Sequence, residues 1–304
     1  MDIYLPIAEI SVNALLIILL GGLVGVLSGM FGVGGGFLTT PLLIFSGISP
    51  AVAVASATTQ ITGASVSGVA AHAQRKGVDF RMGAVLIVGG IFGTILGGFL
   101  FLELQQAGQI DVVVSVLYII LLVSIGALMI REAWTVIQAR RTGIPIKPPA
   151  RRHHPIVASL PLRWRFYGSG LYISPLAPLG LGFAVGTLTV MLGIGGGFIL
   201  VPGMIYILGM STRVVVGTSL FQILFVAAAT TMVHAMTTHA VDIVLAVLLL
   251  IGSVTGAQIG ARLSTRINAE WLRLFLAALV ILVAVRMALG LGWRPDEIYS
   301  IEIS

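Results

Sequence analysis

Long apolar runs separated by short polar breaks set the expected architecture of this chain. A helix needs about 20 apolar residues to cross a hydrocarbon core about 30 Å thick. Residues 11–31, 51–72, 82–102 and 111–138 predict four long helices in the first half, and 174–192, 213–236, 243–263 and 271–291 predict four in the second. Each half also holds one short apolar segment, 37–48 and 198–208. A glycine run precedes each short segment. Gly32-Val33-Gly34-Gly35-Gly36-Phe37-Leu38-Thr39-Thr40-Pro41 returns as Gly193-Ile194-Gly195-Gly196-Gly197-Phe198-Ile199-Leu200-Val201-Pro202. Lipid cannot hydrogen-bond an irregular backbone, which is tolerated at membrane depth only where it is buried in protein or lines a water-filled cavity. The two runs therefore mark candidate cavity walls.

The repeat extends well beyond the glycine runs. Gly21 and Gly25 match Gly182 and Gly186, Gln60 and His72 match Gln222 and His234, and Asp79 matches Asp242. Gly89, Gly93 and Gly97 match Gly252, Gly256 and Gly260, and their four-residue spacing reads as close helix packing and not as chemistry.

Composition supports a polytopic membrane protein: of 304 residues 58% are apolar and 9% charged, with a mean hydropathy of +1.09. Soluble domains carry about 25% charged residues. The absence of cysteine excludes disulfides, cysteine-bound metal centres and a thiol nucleophile. The net charge of +6 is local, because seven of the 17 Lys and Arg lie in 139–170, which has no Asp or Glu. Juxtamembrane basic clusters are a cytoplasmic topology signal, so no nucleic-acid partner is expected. The N-terminus, with Asp2 and Glu9 and no basic residue, lacks the charged region of a cleaved signal peptide.

Charge also orients the halves. The loop carrying Arg75, Lys76 and Arg81 joins 139–170 on the cytoplasmic side, and 103–111 falls outside. In the second half the pattern swaps: 237–242 has no Lys or Arg, whereas the next loop is flanked by Arg262, Arg266 and Arg273. Five segments per half and swapped charges predict an all-α fold of two inverted-topology repeats, each with four long helices and one short half-helix, both termini outside. The expected boundaries are a first membrane repeat at 1–138, a basic cytoplasmic linker at 139–170, a second repeat at 171–293 and a tail at 294–304.

A helix over 37–48 rises about 18 Å, too little to cross, and is shorter still if Thr40 caps and Pro41 opens it. Gly34, Gly35 and Gly36 should then stop inside the membrane, with Gly195, Gly196 and Gly197 reaching them from the opposite face. Helix N-termini offer N–H groups and a positive dipole end, a combination suited to anions. The next long helix of each half adds uncharged donors at midplane depth: Ser56, Thr59 and Gln60 in one, Thr218, Ser219 and Gln222 in the other. These neighbours of the breaks, with the glycines themselves, are the expected substrate contacts, with interhelical hydrogen bonding as the alternative reading. His72 and His234, about 18 Å further along their helices, are candidates for a gate or pH sensor, or are interfacial histidines satisfied by water or backbone. Their spacing suits no metal, and no cofactor is expected. No Asp or Glu lies in the middle third of a long segment, so the usual carboxylate for proton or sodium coupling is missing. The glycine runs match neither a P-loop nor a dinucleotide fingerprint, and no nucleophile–base pair is visible, so an enzyme is not expected.

The doubled Gly-x-Gly-Gly-Gly-Phe-x-x-x-Pro, the Gln and His that follow in each half and the basic linker resemble the TauE/SafE family of sulfite exporter-like membrane transporters. The resemblance spans roughly residues 12–292. It implies a secondary transporter in the bacterial cytoplasmic membrane that exports a small sulfur oxyanion, sulfite or an organosulfonate, by alternating access between the repeats. A passive anion channel using the same half-helix site is the alternative. The expected partners are the anionic substrate and membrane lipid, and a homo-oligomer is left open.

Overall fold

In the computed structural model, which describes residues 2–31, 36–74, 77–142, 159–264 and 269–292, helices form almost where the apolar runs place them. The first half comprises β1 (Asp2–Leu5), β2 (Ile10–Asn13), α1 (Ala14–Phe31), α2 (Gly36–Phe45), α3 (Pro50–Gln74), α4 (Phe80–Gln106) and α5 (Ile110–Thr142). The second comprises β3 (Trp164–Phe166), β4 (Leu171–Ile173), α6 (Leu176–Leu192), α7 (Gly197–Pro202), α8 (Thr212–Thr237), α9 (Ile243–Ser264) and α10 (Ala269–Gly292), and α7 continues as a π-helical turn over Gly203–Ile207. Gly34 and Gly35, most of the expected linker and the expected tail lie outside the described residues.

Among the described residues, five helical stretches are long and apolar enough to cross a membrane: Phe80–Gln106, Ile110–Arg131, Val214–Thr237, Ile243–Gly260 and Leu274–Leu291. This is fewer than the eight long spans expected. Ala14–Met30 and Leu176–Leu192 are apolar but a little shorter, and α3, though 25 residues long, is diluted by its Ser, Thr and Gln residues.

The halves interlock. Each half's first helix packs along the other half's fourth, α1 on α9 and α6 on α4, while α3 packs on α8 and α5 on α10. Glycine makes the first two contacts possible. Cβ atoms added to Gly89 and Gly93 would lie 2.1 Å from the carbonyl oxygens of Leu179 and Phe183. Added to Gly252 and Gly256, they would lie 2.1 Å from those of Ile18 and Gly22. The backbones touch with no room for a methyl group, as the four-residue spacing implies.

Two short antiparallel hairpins, β1–β2 and β3–β4, open the halves. They escape a search for apolar runs because strands of three or four residues carry none. The second hairpin begins at Trp164, inside the stretch the sequence reading gives to the linker. Each hairpin is fastened to the fourth helix of the opposite half by an aspartate. Asp79 caps α4 by accepting from the Met82 N–H at 3.1 Å and takes the Ser169 N–H of the second hairpin at 2.7 Å. Asp242 accepts from the Leu245 N–H at 3.0 Å and from the Ile7 N–H of the first hairpin at 3.1 Å. The surrounding cores correspond as well: Leu5 is buried with Leu245 and Leu249, and Phe166 with Met82 and Leu86.

Candidate functional site

The break between α6 and α7 requires glycine for conformation and for space. Gly193, Gly195 and Gly196 have φ of 68°, 65° and 77°, left-handed values that other residues adopt at a cost. A Cβ at Gly193 would lie 2.7 Å from the Val54 carbonyl oxygen, and one at Gly195 would lie 2.7 Å from the Ile61 side chain. Of the first-half candidates in the run, Gly36 is described, and a Cβ there would lie 2.1 Å from Ile61 and 3.1 Å from the Gly193 carbonyl oxygen. The start of α2 thus meets the second break. The equivalent aromatics that follow the two glycine runs, Phe37 and Phe198, stack with centroids 4.2 Å apart and planes inclined by 3°. Tyr118 of α5, fully buried, fixes the approach to the second break by donating its hydroxyl to the Leu192 carbonyl.

The short helices differ from the expectation that Pro41 would be the first helical residue with Thr40 as cap. The α2 helix is already formed at Gly36 and carries Pro41 inside it, and α7 begins at Gly197 and reaches Pro202 before the π-helical turn. Proline removes one backbone donor, and the helix continues past it because the packed surroundings hold the turn. Ten residues of α2 rise about 15 Å, so the segment remains too short to cross. In α7 the Ile199 and Leu200 N–H groups donate to the Gly196 carbonyl at 3.1 and 2.8 Å, so the open donors of a helix start are those of the residues before them.

Ile61 and Ile223 are buried together at this junction, and each immediately follows one of the paired glutamines. Gln60 is 2% exposed and Gln222 0%. Both polar atoms of the Gln222 amide, and Oε1 of Gln60, have no hydrogen-bond partner. Leaving a buried polar atom unpaired costs about 1–3 kcal/mol. Gly90 of α4 gives the Gln222 amide its room, because a Cβ there would lie 3.2 Å from Nε2. The buried hydroxyls of Thr94, one turn beyond Gly90, and of Thr230 are also unpartnered. Sequence reading missed both, although Thr94 is the lone hydroxyl residue in α4 and could have been noticed on that ground.

The other candidates have protein partners. The Ser56 hydroxyl accepts from the Asp242 N–H at 3.2 Å, and the equivalent Thr218 hydroxyl accepts from the Asp79 N–H at 2.9 Å. Thr59 donates to the Ala55 carbonyl at 3.1 Å and Ser219 to that of Val216 at 2.8 Å. His234 is wholly buried: its Nε2 donates to the Val190 carbonyl at 3.1 Å, and its ring meets Phe101 edge-on. His72 is half-buried, so the two equivalent histidines have different surroundings.

Fold and junction together define a helical multi-pass membrane protein whose halves meet at paired glycine breaks. The family model described as sulfite exporter TauE/SafE matches residues 17–287, and the chain belongs to that family, as the doubled motif implied. A Bacillus subtilis (strain 168) protein named probable membrane transporter protein YjnA is 29% identical over 276 residues, covering 89% of this chain and 98% of the relative. A probable membrane transporter protein of Xylella fastidiosa (strain 9a5c) is 27% identical over 276 residues, covering 90% and 93%. The Bacillus subtilis protein named YunE, also described as a probable membrane transporter, is 24% identical over 286 residues, covering 90% and 96%. No solved structure matches the chain.

Proposed function

We propose that this protein is a secondary transporter exporting a small sulfur oxyanion, sulfite or an organosulfonate, across the bacterial cytoplasmic membrane, and that the anion binds between Gln60 and Gln222 beside the N-termini of α2 and α7. The observation that carries the reading is the Gln222 amide, buried with both polar atoms unpartnered. A glutamine serving as interhelical glue would pair with the neighbouring helix. One held for a ligand keeps its donor available, and uncharged N–H groups can satisfy an oxyanion without placing a full charge in hydrocarbon.

Inverted topology is supported by direction. The α3 and α8 helices are equivalent in the repeat, yet Thr59 meets Thr231 at 3.4 Å while Gly68 meets Leu220, so they run antiparallel. Alternating access is supported by burial. An open anion channel would leave the glutamines wet, whereas both are buried, which suits a closed stage of an alternating-access cycle.

The test is calorimetric binding of sulfite, sulfate, thiosulfate and an organosulfonate to purified protein, with melting temperature measured in parallel. Sulfite or the sulfonate should bind, and Gln222→Leu should weaken that binding about 5- to 150-fold. Its melting temperature should be maintained or raised, because an unpaired buried amide has been removed. Unchanged affinity in both Gln60→Leu and Gln222→Leu would reject the site.

A further inference from the structure

A second polar feature lies away from the junction, where the β3–β4 hairpin meets the start of α4. Arg81, Arg163, Trp164, Arg165 and Tyr167 line a pocket of about 520 Å³ there, over the buried ring of Phe166. The guanidinium groups of Arg81 and Arg165 lie 5.5 and 5.7 Å from the centroid of the same Tyr167 ring, so one aromatic gathers two cations. Asp79, two residues before Arg81, is buried and engaged by the Met82 and Ser169 N–H groups.

We propose that this pocket holds the phosphate of an acidic phospholipid, with its acyl chains lying along α4. Three observations support the proposal. Guanidinium groups make forked, charge-assisted hydrogen bonds to phosphate oxygens, and like charges gathered on one ring favour an anion between them. The fold does not demand the arginines: the equivalents of Arg163 and Arg165 in the first hairpin are Asp2 and Tyr4, and the equivalent of Arg81 is Val244. That first hairpin packs against its own fourth-helix partner without them. Below the pocket, Ala84, Val88, Phe92, Ile95 and Phe99 are exposed at successive turns of α4, giving an apolar track that begins at Arg81. A free phosphate would have no use for that track, whereas a lipid uses both. Trp164 and Tyr167, both exposed, have the amphipathic character that favours the headgroup level.

The experiment is native mass spectrometry of the full chain in detergent, incubated with phosphatidylglycerol, with phosphatidylcholine, or with phosphatidylglycerol in excess inorganic phosphate. The wild type should retain phosphatidylglycerol over phosphatidylcholine, and inorganic phosphate should not displace it. Retention should fall about tenfold or more in Arg81→Gln/Arg165→Gln, with the lipid-free melting temperature unchanged. Arg131→Gln, an exposed cation outside the pocket, should behave as wild type. Arg165→Lys, which keeps the charge and loses the fork, should retain an intermediate amount and covers the case in which the double variant fails to fold. Equal retention of the two lipids, displacement by phosphate alone, or full retention in both Arg165 variants would overturn the proposal.

Discussion

At the scale of single residues, the polar groups inside the helical bundle fall into two sets that the sequence does not distinguish. Ser56, Thr59, Thr218 and Ser219 satisfy backbone groups or are satisfied by them, while Gln60, Gln222, Thr94 and Thr230 retain unpaired atoms. Ser56 and Thr218 of the first set secure the aspartate clamps. Asp79 binds two N–H groups from different elements, and its own N–H is held by Thr218. Removing a capping carboxylate costs about 0.5–2 kcal/mol, and each clamp also loses its hairpin bond. Asp79→Ala and Asp242→Ala should therefore each lower the melting temperature in detergent, by similar amounts because the two environments correspond. A loss confined to one variant would contradict equivalence of the clamps. The Gln pair was legible from the repeat, and both side chains are buried. The clamps were not: Asp79 and Asp242 were visible as a matched pair, but their partners lie 90 and 235 residues away in sequence.

At the scale of elements, apolar run length located helix boundaries to within a few residues, because in hydrocarbon every backbone group must be satisfied inside its own segment. Where that constraint weakens, the reading weakens with it. The hairpins and the start of α2 lie where tertiary partners decide the conformation, and Pro41 sits inside a helix that propensity alone would start at that residue. Glycine spacing, by contrast, reported packing directly. A methyl group at Gly93 would meet the Phe183 carbonyl oxygen at 2.1 Å, and backbone cannot step aside as a side-chain tip can. Gly93→Ala should cost about 1–3 kcal/mol, the usual penalty of overpacking, and Gly256→Ala the same. Gly290, with nothing within 4 Å of an added Cβ, is the control, and Gly290→Ala should leave the melting temperature unchanged. A Gly93→Ala variant as stable as wild type would show that α4 and α6 are not held at backbone contact.

At the scale of the whole molecule, the halves are not separable domains. Each hairpin is clamped to the opposite half's fourth helix, each first helix lies along that same helix, and α2 meets α7 through Phe37 and Phe198. Under the proposed transport between repeats, such interlocking would couple events at one face to the other. Because the sequence places no carboxylate in the middle third of a long segment, we propose that the membrane potential, worth about 2.3 kcal/mol per charge per 100 mV, drives the export. An anion leaving a negative interior moves down that gradient without a coupled ion. Sulfite efflux from proteoliposomes, with potential and pH gradient clamped independently, tests this account most directly. The account predicts saturable efflux that accelerates as the interior becomes more negative, and that falls to the level of protein-free vesicles in Gln60→Leu/Gln222→Leu. Efflux insensitive to potential but abolished by collapsing the pH gradient, or wild-type efflux in the double variant, would contradict it.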